Sequence, residues 1–137
     1  MACSRRPIPI RLLSNLLCAA LLGSAQAQDV DWARAELVTV LLVDDQFVPD
    51  KLTFRRGIPY RLRLENRGKE THEFTAPEFI KTIEIGNPGV LEQAGNEVLV
   101  RPAAQKELHF IARKPGRYPL ICADHDWDGM VGEITVE

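Results

Sequence analysis

From residue 37 onward the apolar residues come in short runs, and a turn-forming residue closes nearly every one. Leu52 and Phe54, then Tyr60, Leu62 and Leu64, alternate with Thr53, Arg61 and Arg63. A period of two buries one face of a strand and wets the other. Leu37 to Val43 is apolar and β-branched enough for a strand, and further strands are predicted over His72–Thr75, Val98–Arg101, Glu107–Ala112, Tyr118–Cys122 and Val131–Val136. Gly57 with Pro59, Asn66-Arg67-Gly68 and Lys114-Pro115-Gly116 supply turns between them. Pro77 to Gly95 fits neither period: Asn87-Pro88-Gly89 forces a turn, and the rest reads as a short helix or an irregular strand. Seven or eight short strands with no long amphipathic helix predict an all-β chain folded as an antiparallel sandwich or barrel.

The first 27 residues stand apart from that pattern. Arg5, Arg6 and Arg11 precede a short run of leucine and alanine, and Ser24-Ala25-Gln26-Ala27 offers the small residues of a signal-peptidase site, so cleavage is expected after Ala27. The run is short of the about 20 residues that a permanent membrane helix needs. Ser4-Arg5-Arg6 leaves twin-arginine export open beside the general route, with Pro7 and Pro9 against it. Asn15-Leu16-Leu17 before Cys18 fits a lipidation site poorly. The expected organisation is a signal peptide at 1–27, an arm at 28–36 carrying Trp32 as a short helical turn or loose segment, and one domain at 37–137. The expected location is the periplasm, without a permanent membrane span.

The leader removes three of the 17 basic residues and none of the 19 acidic ones, so residues 28–137 carry a net charge of −5. That disfavours nucleic acid and anionic membranes as partners. Cys3 and Cys18 also fall in the leader, which leaves Cys122 without a possible disulfide partner. An unpaired thiol in an oxidising compartment must be protected or used.

The chain around it reads Cys122-Ala-Asp-His125-Asp-Trp-Asp-Gly-Met130, between a predicted strand ending at Cys122 and another starting at Val131. Thiolate, imidazole and thioether share one tight loop. About fifty residues earlier His72 opens a strand just after the Asn66–Glu70 turn. If the two loops meet, His72, Cys122, His125 and Met130 form two imidazoles, one thiolate and a weak axial thioether, the donor set of a type 1 copper site. Copper(I) favours sulfur and copper(II) favours imidazole, so a rigid mixed site changes little between the two states. Each residue alone has a plainer role: a buried cysteine or methionine packs, and a lone histidine at a strand start is satisfied or exposed. The ordered set of four carries the metal reading. Zinc would favour a closed tetrahedral set without a thioether. His109, between Leu108 and Phe110, is expected to face solvent.

The Cys-x2-His-x4-Met loop followed by Gly132-Glu-Ile134-Thr-Val136 resembles the cupredoxins, such as plastocyanin and pseudoazurin. Upstream, Phe47-x-Pro49, Leu52, Phe54, Gly57, Tyr60, Leu62, Leu64 and Asn66 leading to His72, and Lys114-Pro115-Gly116-x-Tyr118, extend the resemblance over about residues 37–137. It implies an eight-stranded Greek-key β-sandwich, one mononuclear type 1 copper, and electron transfer with redox partners such as a cytochrome or a copper oxidase or reductase. Two positions depart from the family. Glu73 follows the first histidine where many relatives have Asn, and Asp124 stands where Pro often precedes the second histidine. Asp124, Asp126 and Asp128 either simply face water or favour copper(II), lower the potential and receive a cationic partner. Trp127 either covers the exposed edge of His125 or is a core-edge aromatic.

The function expected is a monomeric, non-enzymatic carrier of single electrons. The alternative is a periplasmic copper-binding or copper-delivery protein, against which stands a single methionine beyond the initiator. Three histidines in all are too few for a multicopper enzyme, and one cysteine is too few for a binuclear centre.

Overall fold

Turn chemistry divides residues 36–136 into ten strands: β1 (Glu36–Val43), β2 (Gln46–Val48), β3 (Lys51–Phe54), β4 (Pro59–Asn66), β5 (His72–Thr75), β6 (Ile83–Ile85), β7 (Glu97–Val100), β8 (Gln105–Ala112), β9 (Gly116–Ile121) and β10 (Val131–Val136). These belong to a computed structural model that describes residues 29–137. The expected leader, its cleavage site, Cys3 and Cys18 lie outside the described residues.

The strands form two five-stranded sheets, in the orders β2-β1-β4-β8-β6 and β3-β10-β9-β5-β7. Their inner faces meet over a core that includes Val40, Leu42, Leu62, Leu64, Leu108 and Phe110 from the first sheet and Phe54, Phe74, Val98, Leu120 and Ile134 from the second. The all-β sandwich expected from the alternation is the architecture found. In β4 the alternation is complete: Tyr60, Leu62, Leu64 and Asn66 are buried and the residues between them are half-buried.

Three details depart from the sequence reading. The strands number ten because two three-residue pieces, β2 and β6, are too short to show a period. The sheets are mixed, since β1 runs parallel to β4 and β3 parallel to β10. The chain leaves the first sheet after β2 and enters the second at β3, and that crossing lets β4 return beside β1 in the same direction. The segment after Pro77 contains both elements that were open, a one-turn helix α1 (Pro77–Ile80) and strand β6, followed by a 3-10 turn at Pro88–Val90.

Phe54, Tyr60, Phe79, Phe110 and Tyr118 interlock by edge and stacked contacts with centroids 4.9–5.9 Å apart. They gather where β3 ends and β9 begins. The opposite pole, where β5 begins and β9 ends, carries the candidate ligands. The arm contributes a 3-10 turn, Trp32–Arg34, capped by Asp31, whose carboxylate accepts the Ala33 N–H at 3.1 Å. Trp32 stacks on His109 with centroids 5.4 Å apart. His109 does point outward from the sheet, but the arm folds back over it and leaves it half-buried, which corrects the expectation of a solvent-facing residue. Among the described residues no helix is long and apolar enough to cross a membrane.

Candidate metal centre

Local hydrogen bonds build the ligand loop before any ligand chemistry is considered. The Cys122 N–H donates to the Met130 carbonyl at 3.0 Å, and the Met130 N–H donates to the His125 carbonyl at 3.1 Å. Inside this frame His125 N–H donates back to Cys122 O, and a 3-10 turn, Asp126–Asp128, reverses the chain. Gly129 ends that turn at φ 94°, a left-handed conformation that a side chain would strain. The frame holds thiol, imidazole and thioether in place.

The first ligand strand is positioned by Asn66, which is buried. Its Nδ2 donates to the carbonyls of Glu70 and Val100, and its Oδ1 accepts the Gly68 N–H. This lays the 66–71 turn over β5. Gly68 packs so closely on Asp44 and His72 Nε2 that a Cβ there would strike both.

Together the two loops bring Nδ1 of His72, Nδ1 of His125 and Sγ of Cys122 within 4.8 Å of one another. Sγ is 3.3 Å from His125 Nδ1 and 3.8 Å from His72 Nδ1. Bonds of about 2.0 Å to imidazole and about 2.3 Å to thiolate, opened by about 110°, separate such donors by about 3.5 Å. The donors are therefore spaced for one shared ion of that size. Met130 is wholly buried at the end of the same loop. All four residues named from the sequence thus lie at one pole, three of them with donor atoms converging.

The surroundings add groups that the sequence reading did not assign. Glu70 Oε2 lies 2.6 Å from His125 Nε2 and holds the imidazolium form of that ring, so its pKa is raised. Asp44 Oδ1 lies 3.5 Å from His72 Nε2, too far for a good hydrogen bond, and that buried nitrogen has no other partner. The Asp44 carboxyl is held below its ordinary value, first by the Lys69 N–H and then by the nearby His72 ring. A carboxylate behind each ligating imidazole is the usual device for orienting its metal-binding nitrogen. Glu73 is 4% exposed, and its Oε2 accepts the Cys122 thiol at 3.0 Å and the Asp124 N–H at 3.4 Å. Its backbone N–H donates to Sγ at 3.4 Å. Burial pushes the Cys122 thiol up to about 11, and the Glu73 carboxylate adds to the rise, so a cation is needed to release its proton near neutral pH.

Asp124, Asp126 and Asp128 face water. Trp127 is 78% exposed, which removes it from the core edge, and its indole N–H donates to Asp124 O. The group that meets the outer edge of His125 is Glu70. Asp44, Asp45, Glu70 and Asp128 line a cup of about 270 Å3 over the two histidines, with Lys69 its one lysine.

A domain description drawn from many sequences decides the family: the Cupredoxin-like domain matches residues 13–136. The chain belongs to the cupredoxins. Among solved structures this cupredoxin is similar to auracyanin B, at 18% identity and a TM-score of 0.58 over 75% of this chain and 89% of that one. It is also similar to dithionite-reduced auracyanin from the photosynthetic bacterium Roseiflexus castenholzii, at 17% identity and 0.56 over 75% and 98%. At that identity the likeness shows the fold. No curated protein matches the chain by sequence. Family and donor set together suit copper.

Proposed function

We propose that this cupredoxin is an exported electron carrier that holds one type 1 copper through His72, Cys122, His125 and the axial Met130. The observation that carries the reading is the convergence of two imidazole nitrogens and a buried, unpaired thiol inside a hydrogen-bonded frame. Copper bound there would supply a one-electron couple. The residues supply the rest: the protein's own hydrogen bonds hold the loop that carries Cys122 and His125, so little rearrangement would accompany a change of charge. His125, whose side chain is 12% exposed, is the route outward, and the Glu70 carboxylate beside it offers a partner's lysine or arginine a place to pair. The partners proposed are redox proteins such as a cytochrome or a copper oxidase or reductase, met in the periplasm by a monomer with no catalytic role of its own.

The test is the visible spectrum of residues 28–137 with one equivalent of copper(II), beside Cys122→Ser. An intense copper–thiolate band, absent in the variant and bleached reversibly by reductant, is expected. A colourless product that still holds copper(I) would transfer the assignment to copper delivery, and no binding would leave only a sandwich.

A further inference from the structure

Three of the four large apolar side chains left exposed among the described residues lie on one flank of the ligand pole: Val48, Trp127 and Val131. Val48 ends β2 and Val131 opens β10, and both line an open groove of about 630 Å3 that Phe47, Pro49 and Gly129 also line. Gly129 and Val131 bracket Met130 in the chain, so the groove runs beside that residue rather than over the histidines. Trp127 precedes Asp128, another lining residue. Its indole N–H donates to Asp124 O at 3.0 Å, which holds the ring while leaving it 78% exposed. Apolar side chains gathered on a surface mark a contact site, and an aromatic already held in one orientation loses little freedom on binding. The cup over the histidines differs: carboxylates and Lys69 line it, and no exposed large apolar side chain does.

The rest of the groove is acidic. Asp44, Asp45, Asp50 and Asp128 line it, all exposed, and no lysine or arginine does. A twofold pair of copies would set these carboxylates against each other. A basic surface fits instead: the stem of a lysine or arginine lies along Val48 and Pro49 while its cation reaches Asp45 and Asp50. Resting on the electron-carrier reading above, we propose that the redox partner docks on this flank and presents an apolar patch edged by lysine or arginine. Val48, Trp127 and Val131 form the apolar contact, and the four aspartates form its rim. The charge of the pole brings the partner in, and the flank holds it.

The experiment titrates 15N-labelled residues 28–137, loaded with copper(I), with reduced cytochrome c, a basic haem protein, at low salt. Amide shifts should saturate and centre on residues 45–50 and 126–131. Val48→Ser and Trp127→Ala should each weaken binding about fivefold or more. Asp45→Asn with Asp50→Asn should weaken it about threefold or more, and that loss should shrink at 0.3 M salt. Glu36→Gln, at the opposite pole, should leave it unchanged. Shifts centred on residues 69–72, or no shifts, overturn the proposal. So does unchanged affinity in Val48→Ser and Trp127→Ala when the aspartate variant weakens, because charge alone then accounts for binding. The amide spectrum of each variant shows whether the sandwich is kept; if Trp127→Ala loses it, Val131→Ser takes its place with the same expected loss. The thiolate band of the copper(II) form is read separately. A band in the parent without shifts on the flank overturns the docking surface alone, and no band overturns the carrier reading and with it the partner's redox role.

Discussion

Both amide N–H groups of Asn66 are used inside the protein, on Glu70 O at 2.7 Å and Val100 O at 2.8 Å, while its Oδ1 takes the Gly68 N–H at 2.9 Å. Asn66→Ala removes all three contacts and strands the buried carbonyl of Val100, while the Glu70 carbonyl and the Gly68 N–H lie nearer water. An unsatisfied buried group costs about 1–3 kcal/mol, so a loss of about 2 kcal/mol is expected in denaturant unfolding of the metal-free protein. The 66–71 turn carries Glu70 and His72, so copper affinity should fall as well. A variant that is destabilised and yet binds copper unchanged would separate Asn66 from the site. Met130 gives the opposite expectation. It is wholly buried, and Met130→Leu nearly preserves volume. That change should cost under about 1.5 kcal/mol in the metal-free chain, while the thiolate band shifts position through the lost thioether. At this scale the sequence reveals Cys122, His125 and Met130 because one loop fixes their separation. It hides Asp44 and Glu70 because each reaches its histidine from a different turn, which local spacing does not encode. Asn66 carries a turn signal whose second role, satisfying a buried carbonyl of β7, depends on a strand 34 residues away.

The outer faces of β4 and β8 form a polar layer that the arm partly covers. Glu107 Oε1 accepts the Arg63 guanidinium at 3.0 Å, its Oε2 meets His109 Nε2 at 3.1 Å, and Arg61 stands 3.9 Å away. Burial alone would raise the Glu107 pKa, but the bonds from His109 and Arg63 and the charge of Arg61 outweigh it and lower the value. A carboxylate whose folded pKa is depressed stabilises above its unfolded value, and the contribution disappears as pH falls through the folded one. The stability gap between the protein and Glu107→Gln should hold from pH 7 to about 5 and close toward pH 3. A constant gap would show that the ion pairs contribute nothing. Trp32 lies against Gly86 so tightly that a Cβ there would enter the indole ring. Gly86→Ala should therefore lift Trp32 off His109, seen as a red shift and loss of its fluorescence. Trp127, 78% exposed, is already solvated, and its emission should not change. The alternation of Tyr60, Leu62 and Leu64 reveals β4 from sequence alone. The return of the arm onto its outer face is invisible, because stacking of Trp32 on His109 joins residues 77 positions apart with no shared period.

Charge differs between the two poles of the sandwich. Around the ligand pole stand Asp44, Asp45, Glu70, Asp124, Asp126 and Asp128, with Lys69 among them. At the far pole, where β3 ends and β9 begins, Arg55, Arg56, Arg113, Lys114 and Arg117 cluster, offset in large part by Glu36, Glu84, Glu133 and Glu137. Such a separation orients a charged partner before contact and sets its rate of arrival more than its final affinity. Oxidation of the reduced protein by a cationic metal complex should therefore slow as salt rises, by about threefold or more between 0.01 and 0.3 M, where the screening length contracts from about 30 Å to below 8 Å. An anionic complex of similar potential should speed up. The loop aspartates face water, where a carboxylate acts weakly on a buried ion but fully on an approaching one. Replacing Asp124, Asp126 and Asp128 together with Asn should flatten the salt dependence for the cationic complex. It should move the reduction potential little. If instead the potential moves and the salt slope does not, the loop carboxylates tune the metal directly and the steering assigned to this pole is wrong.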